Sequence, residues 1–390
     1  MKRTGITSVD EFKEFSSQFQ KEHTMPYAFG IGLCFKNSTG QPIAHKWLSL
    51  NVDENMGTAS ALMDYFQIEM TGNSPLYFSG KNFSFTNKAV ETIFHMYFHP
   101  FEDDGAHHEN IVALDTIVVN DFEELSEPAL IFYPTKEIFE TAVASNADAH
   151  FRLAAISRLK FKPNTICLDD LFAVLPNLVW TSIGSVHPVD EWNQSISNMQ
   201  IRILIDKIPL LTWGAPIPSE VRIANPDNVR LGAYLSPGTT IMHYGFVNFN
   251  AGTLGKSMVE GRISVGTTIG DGTDIGAGAG FLGTLSGGNS TKLSAGERCL
   301  IGANAECGVI LGDDCVVATG TCFGQGTPIA EIDPTVKNID DPKRVIRIGK
   351  VKDYNEKSGL TFWRHSITGA LEVFATANKH KLNETLHNNS

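Results

Sequence analysis

No apolar run in the 390-residue chain approaches the length of about 18 residues that a membrane-spanning helix needs, so none is expected. The opening MKRTGITSVDEFKEF holds no apolar core of leader length, and a cytoplasmic location is the expectation. Basic residues are outnumbered, 31 Lys and Arg against 43 Asp and Glu, for a net charge of −12. That balance argues against a nucleic-acid partner or an anionic membrane, while leaving room for a local basic pocket around a small anion. Cysteines are few. None of Cys34, Cys167, Cys299, Cys307, Cys315 and Cys322 forms a C-x-x-C pair, and a reduced protein is the plain reading.

What the chain does have is a run of small residues, 223–323, with an aliphatic residue at every sixth place. Ile223, Val229, Leu235, Ile241 and Val247 form one series. Ile263, Ile269, Ile275 and Phe281 form a second, and Leu293, Cys299, Ala305, Leu311, Val317 and Phe323 a third. A period of six fits neither the 3.6 of a helix nor a simple alternating strand. It is the signature of hexapeptide repeats wound into a parallel β-helix, one side chain per hexad pointing into a narrow prism. Coils of that kind stack about 4.8 Å apart. A flexible Gly-rich linker would have no reason to keep the sixth position aliphatic.

The flanks read differently. Ser8 and Glu11 predict a capping box for a helix presenting Phe12, Phe15 and Phe19. Helices are also expected over 61–70, 87–98, within 135–159 and over 168–180, and strands over 111–120 and 199–206. The expected division is a helical or mixed region at 1–110, an α/β domain at 111–220, the β-helix at 221–326 and a small β C-terminal cap at 327–390.

Two stretches break the series, 248–262 and 282–292, and both are expected to leave the prism as loops. Function on a rigid scaffold sits at such breaks. Glu260 and Arg262 close the first and point to one side of a strand. The pair reads equally as a carboxylate poised for proton transfer or nucleophilic attack beside an anion-binding guanidinium, or as a surface ion pair worth little. A zinc centre shared between coils needs three histidines, and the run offers only His243. His95 and His99, with His107 and His108 near Glu102, Asp103 and Asp104, have ligand spacing but read as a solvated loop. Lys343, Arg344, Arg347, Lys350 and Lys352 cluster after the repeats and read as a patch for the phosphates of coenzyme A or as a solvated edge strand, the first favoured because the cluster directly follows the β-helix.

The stretches VRLGAYLSPGTTIMHYGFVNFNAGTLGKSMVEGRISVGTTIGDG and RCLIGANAECGVILGDDCVV resemble the tetrahydrodipicolinate N-succinyltransferase family, in its actinobacterial and pseudomonad form. The likeness covers 221–326 and resumes at VKDYNEKSGLTFWRHSITGALEV. It implies a left-handed β-helix, a homotrimer with sites between subunits, and a C-terminal segment covering the coenzyme. The implied reaction moves a succinyl group from succinyl-CoA to the amino group of L-2-amino-6-oxopimelate, in lysine and diaminopimelate synthesis. The alternatives are another hexapeptide acyltransferase with an acetyl-CoA donor, or a non-catalytic β-helical assembly module.

Carried over by position, the resemblance implies Glu260 as the catalytic residue and Arg262 as a contact to succinyl-CoA. Ala277, Gly280, Ala303, Ala318, Thr319, Gly326, Lys352, Trp363, Arg364, His365 and Ser366 fall on further coenzyme-contacting positions. Ala277 and Gly280 stand where relatives carry Gly and Ser, changes that backbone contacts tolerate. Trp363 stands where they carry Arg, and an indole does not replace a guanidinium. Some relatives bind magnesium through an Asp matching Asp227 and a Glu whose place is taken here by Tyr244, so magnesium is compatible with the reading but not required.

Overall fold

The structure is a computed structural model and describes residues 5–80, 85–101, 108–119, 126–192, 201–282 and 291–376. The chain forms two compact units. The first takes most of residues 1–155 and 166–209; the second takes 156–165 and most of 210–390.

In the first unit, α1 (Val9–Glu22) starts at Ser8, whose side chain accepts the Glu11 N–H; the Glu11 carboxylate takes the Thr7 N–H and hydroxyl instead of closing the expected box on Ser8. Strands β1 (Ala28–Lys36) and β2 (Pro42–Val52) pair antiparallel. After α2 (Met56–Phe66), β3 (Leu76–Ser79), α3 (Asn87–Ile93), α4 (Glu109–Val119) and β4 (Ser126–Tyr133), the sheet order is β2-β1-β4-β3. Phe29, Ile31, Leu33 and Phe35 alternate onto one face of β1 and join Phe12, Phe19, Leu62, Val90, Phe98 and Leu114 in a single core. The expected strand at 111–120 is the helix α4 instead. Asn110, Ala113, Leu114 and Ile117 are its buried residues, a helical period that its β-branched composition disguises.

On the chain runs to α5 (Asn146–Ser157), which carries a buried charge network. Asp148 accepts from the Tyr133 hydroxyl at 2.8 Å and from Arg152 Nε at 2.8 Å. Arg152 also donates to the carbonyls of Thr141, Cys167 and Ile138. Both charges are fully buried and well partnered, the condition under which such a pair persists. The helix expected over 168–180 is one turn, Leu171–Val174, cut short before Pro176. It is followed by an antiparallel sheet of β5 (Leu178–Thr181), β6 (Val186–Pro188) and β7 (Ile203–Asp206), ordered β6-β5-β7.

The second unit contains the prism. Three parallel sheets share the repeat, and their strands are two or three residues long. On the first face the inner residues are Ile223, Ile241, Val259, Ile275, Ile301 and Val317, each paired with the next. On the second they are Val247, Ile263, Phe281, Cys307 and Phe323, with Val229 bridged to Val247; on the third Leu235, Thr253, Ile269 and Ala295, with Leu311 bridged to Ala295. All but the terminal Ile223 are essentially buried.

Two expectations are corrected by this register. Residues 248–262 do not leave the prism: they carry the strands Ala251–Thr253 and Ser257–Val259 and keep Thr253 and Val259 in the inner row. The polar Thr253 hides the sixfold series there; its hydroxyl lies 2.6 Å from that of Thr239 inside the coil. The irregularity here is a four-residue step from Val259 to Ile263, where the steps on either side take six. The third series is likewise offset. Ala295, Ile301 and Cys307 form the inner row, while Leu293, Cys299 and Ala305 lie two residues earlier, also buried. A second four-residue step runs from Cys307 to Leu311. Most of the other expected loop, 283–290, lies outside the described residues.

Beyond the last coil, the strand Leu360–Arg364 pairs parallel with Val316–Val317 and so extends the first face. Leu371–Ala375, Pro328–Ile332 and Val345–Lys350 then complete that ten-stranded sheet. Among the described residues no helix is long and apolar enough to cross a membrane.

Candidate active site

The corner that joins the first face to the second collects most of the predicted positions. Glu260, Gly276, Gly302 and Ala318 each follow an inner residue of the first face. They form a ladder in which Glu260 N–H donates to Ile275 O, Gly276 to Ile301 O, Gly302 to Val317 O and Ala318 to Phe362 O, all at 2.8 Å. Trp363 occupies the next rung, directly after Phe362. One residue further along the corner lie Ala277, Ala303 and Thr319. Asn304 N–H donates to Ala277 O and Gly320 N–H to Ala303 O, which stacks the turns. The tips of those turns, Gly278, Asn304 and Gly320, have φ of +67°, +56° and +69°, which is why Gly and Asn stand there.

Among the described residues the N–H groups of Ala277, Ala303 and Thr319 donate to no backbone carbonyl. Those three positions therefore offer main-chain donors to a ligand, whatever their side chains. Ala277 and Thr319 are exposed and Ala303 half-buried.

Glu260 sits in the four-residue step, half-buried, and among the described residues no side chain pairs with its carboxylate. Arg262, two residues on, lies in the outward row of the second face: Phe246, Arg262, Gly280, Glu306, Cys322. Its Nη2 reaches across Gly280 to Glu306 Oε1. Arg364 approaches the same row from the C-terminal strand, donating to Cys322 O at 3.2 Å and to Gly369 O at 2.7 Å. Glu306 escaped the sequence reading because nothing marks one acid in a Gly-rich run; only the stacking of coils puts it above Arg262.

Other predicted residues are placed less uniformly. Gly326 and Lys352 are exposed neighbours, since Lys352 N–H donates to Gln325 O at 3.0 Å. His365 Nδ1 accepts from the backbone N–H groups of Ile367 and Thr368, closing the turn that carries the exposed Ser366. The Trp363 indole is turned to Glu372 Oε2 at 2.8 Å. Glu372 is also the bidentate partner of Arg344, at 2.6 and 2.7 Å. Burial alone would raise the Glu372 carboxyl; hydrogen bonds from Arg344 and Trp363 outweigh it and hold the group below its ordinary value. Arg344 is therefore withdrawn from the basic cluster expected to meet coenzyme phosphates, and Arg347 is paired with Asp353 at 3.0 Å.

The corner also holds Asp227, exposed in the turn Pro226–Asn228, and one coil on His243 and Tyr244, both exposed. One carboxylate and a phenol do not form the oxygen-rich shell that magnesium takes. No group of three or more His, Cys, Asp or Glu able to hold a metal occurs among the described residues. Of the His-rich stretch, His108 Nε2 lies 3.1 Å from Asn55 Oδ1, while Glu102, Asp103, Asp104 and His107 fall outside the described residues.

Comparison with known proteins bears on the chain as a whole. Residues 10–173 match the family model described as "Tetrahydrodipicolinate N-succinyltransferase N-terminal", and 292–322 match "Hexapeptide repeat of succinyl-transferase". The chain is 39% identical over 253 residues to a 2,3,4,5-tetrahydropyridine-2,6-dicarboxylate N-succinyltransferase of Pseudomonas aeruginosa, covering 64% of this chain and 71% of that one. It is 41% identical over 251 residues to the enzyme of that name from Vibrio cholerae, covering 63% and 71%. A crystal structure of a putative 2,3,4,5-tetrahydropyridine-2-carboxylate N-succinyltransferase from Campylobacter jejuni superposes with a TM-score of 0.79 at 28% identity, over 95% of this chain and 98% of that one. With a family model over its N-terminal part, relatives about 40% identical over some 250 residues and a matching fold, the chain belongs to the tetrahydrodipicolinate N-succinyltransferase family.

Proposed function

We propose that this protein transfers the succinyl group of succinyl-CoA to the amino group of L-2-amino-6-oxopimelate, the open form of tetrahydrodipicolinate, in lysine and diaminopimelate synthesis. The observation that carries the reading is Glu260, a carboxylate with no side-chain partner among the described residues, in the one short step of that corner and two residues from a guanidinium.

The amine must be neutral to attack a thioester, so a carboxylate placed to take its proton raises the rate. Glu260 takes that proton as the amine nitrogen attacks the thioester carbonyl. The carbon–sulfur bond then breaks, and the leaving thiolate is released to be protonated. Arg262 holds the terminal carboxylate of the succinyl group, as a planar guanidinium suits a carboxylate. The N–H groups of Ala277, Ala303 and Thr319 bind the amide-bearing arm of the coenzyme. Ala318, Gly280 and Gly326 keep that edge low enough for the arm to lie along it. Lys352, Arg364, His365 and Ser366 border its far end. Trp363 supports the edge through Glu372 rather than by a charge of its own. No step runs through magnesium. We further infer a cytoplasmic homotrimer of left-handed coils, with each corner facing a neighbouring copy and the C-terminal segment closing over the coenzyme.

The test is thiol release from succinyl-CoA with tetrahydrodipicolinate as acceptor. Glu260→Gln and Glu260→Ala are expected to lower turnover by about 10²–10⁴-fold with an unchanged thermal midpoint. Wild-type protein that releases no thiol would defeat the proposal; wild-type rates in both variants would remove Glu260 from it.

A further inference from the structure

The outward row that carries Arg262 holds a second charged side chain, Glu306, that the mechanism above leaves without a role. It lies two coils from Arg262, with Gly280 between them. A Cβ at position 280 would stand 3.4 Å from Arg262 Nη2, ordinary van der Waals distance, so the guanidinium passes directly over this residue. Glu306 Oε1 meets Nη2. Its other oxygen, Oε2, is buried and has no hydrogen-bond partner among the described residues. Leaving such an atom unsatisfied is destabilising, so stability alone does not account for the arrangement. The Arg262 side chain keeps 49% of its surface exposed. A guanidinium has five N–H donors in a rigid fork, so one engaged on Glu306 leaves the others free to meet an anion.

We propose that Glu306 is a positioning residue for the donor. It fixes the guanidinium of Arg262 before the donor arrives, so that the remaining N–H groups face an acyl chain ending in a carboxylate. The preference for such a donor over a neutral acyl chain is thereby set by two side chains rather than one. An arginine free to rotate would lose its rotamer entropy on binding; one already pinned does not. The inference rests on the role given to Arg262 in the proposed function.

The experiment uses the full-length protein, Glu306→Ala, Glu306→Gln, Arg262→Ala and the Glu306→Ala/Arg262→Ala double variant. Steady-state kinetics are run with succinyl-CoA, and acetyl-CoA binding is followed by calorimetry. Glu306→Ala is expected to raise KM for succinyl-CoA by about tenfold, the size of one lost charge-assisted hydrogen bond, with kcat nearly unchanged. Glu306→Gln, which still accepts from Nη2, recovers part of that loss. Acetyl-CoA affinity stays at the wild-type value. In the Arg262→Ala background the Glu306 substitution adds nothing, because its partner is gone. The inference is overturned if Glu306→Ala weakens both donors alike, tightens succinyl-CoA, or costs the same without Arg262. Should Glu306→Ala fail to fold, judged by its thermal transition, Glu306→Gln carries the same comparison. If wild-type protein releases no thiol from succinyl-CoA, the proposed function itself falls. If wild-type turns over and Arg262→Ala loses donor affinity while neither Glu306 variant does, only the role of Glu306 falls.

Discussion

Gly261 separates Glu260 from Arg262 in the four-residue step, and replacing it with alanine perturbs the site without touching either side chain. A Cβ at that position would lie 2.1 Å from Ala279 O and 2.8 Å from both Ala279 C and Gly276 O. All three atoms are backbone of the next coil, and Ala279 O is the acceptor for Arg262 N–H at 2.7 Å. Carbon and oxygen need about 3.3 Å, so the corner must shift by about 1 Å. Overpacking of this kind costs about 1–3 kcal/mol. For a unit of this size each kcal/mol lowers the thermal midpoint by about 2–4 °C, so a drop of roughly 2–12 °C is expected. Misplacing a reacting group by about 1 Å costs about 10²-fold in rate, and kcat/KM should fall by that order. Gly324→Ala is the control. A Cβ there meets nothing nearer than Leu282 Cδ1 at 3.9 Å, and both readouts should stay at wild-type values. Calorimetric melts and the thiol-release assay measure the two quantities. If Gly261→Ala melts and turns over like wild type, the claim that backbone packing at this corner places Glu260 is wrong.

Two further predictions concern the first unit. Arg152→Ala strands Asp148 in a fully buried position with, among the described residues, the Tyr133 hydroxyl and the Ala144 N–H as its remaining partners, and should cost about 3–5 kcal/mol in urea unfolding. Burial holds the His150 ring down at about 4, from an ordinary 6.5, and lowers His45 in the same direction, with His150 its second cause. A base with a depressed folded-state value binds fewer protons folded than unfolded. Stability therefore falls as the pH drops through 6.5, and the His150 contribution to the slope ends near pH 4. Between pH 7 and pH 5 the loss from His150 should be about 2 kcal/mol, and His150→Gln should remove that part of the slope.

The prism was legible in the sequence because one aliphatic residue per hexad is a steric demand of the coil itself, met by Val229, Leu235, Ile241, Ile269 and Ile275. It misled where the demand was met by something else. Thr253 fills an inner place with a hydroxyl paired inside the coil, so 248–262 reads as an interruption. Cys299 and Ala305 are buried corner residues small enough to pass for the inner row. In the first unit the helix α4 was hidden by its β-branched residues, whose periodicity counts for more than their propensity. Arg344 looked like part of a basic patch because nothing local announces Glu372, 28 residues away, as its partner.

By itself the sequence determined that coils would stack, and that an acid and a guanidinium, Glu260 and Arg262, would stand two residues apart among them. Those are local consequences of spacing and side-chain type. Which residues then share an edge depends on coil length, and coil length on where four-residue steps replace six. That count carries Ala277, Ala303 and Thr319 to one line and sets Glu306 beside Arg262, contacts between residues 16 to 44 apart in the chain. Only the tertiary structure decided them, because registry between stacked coils is a property of the whole turn and not of any hexad within it.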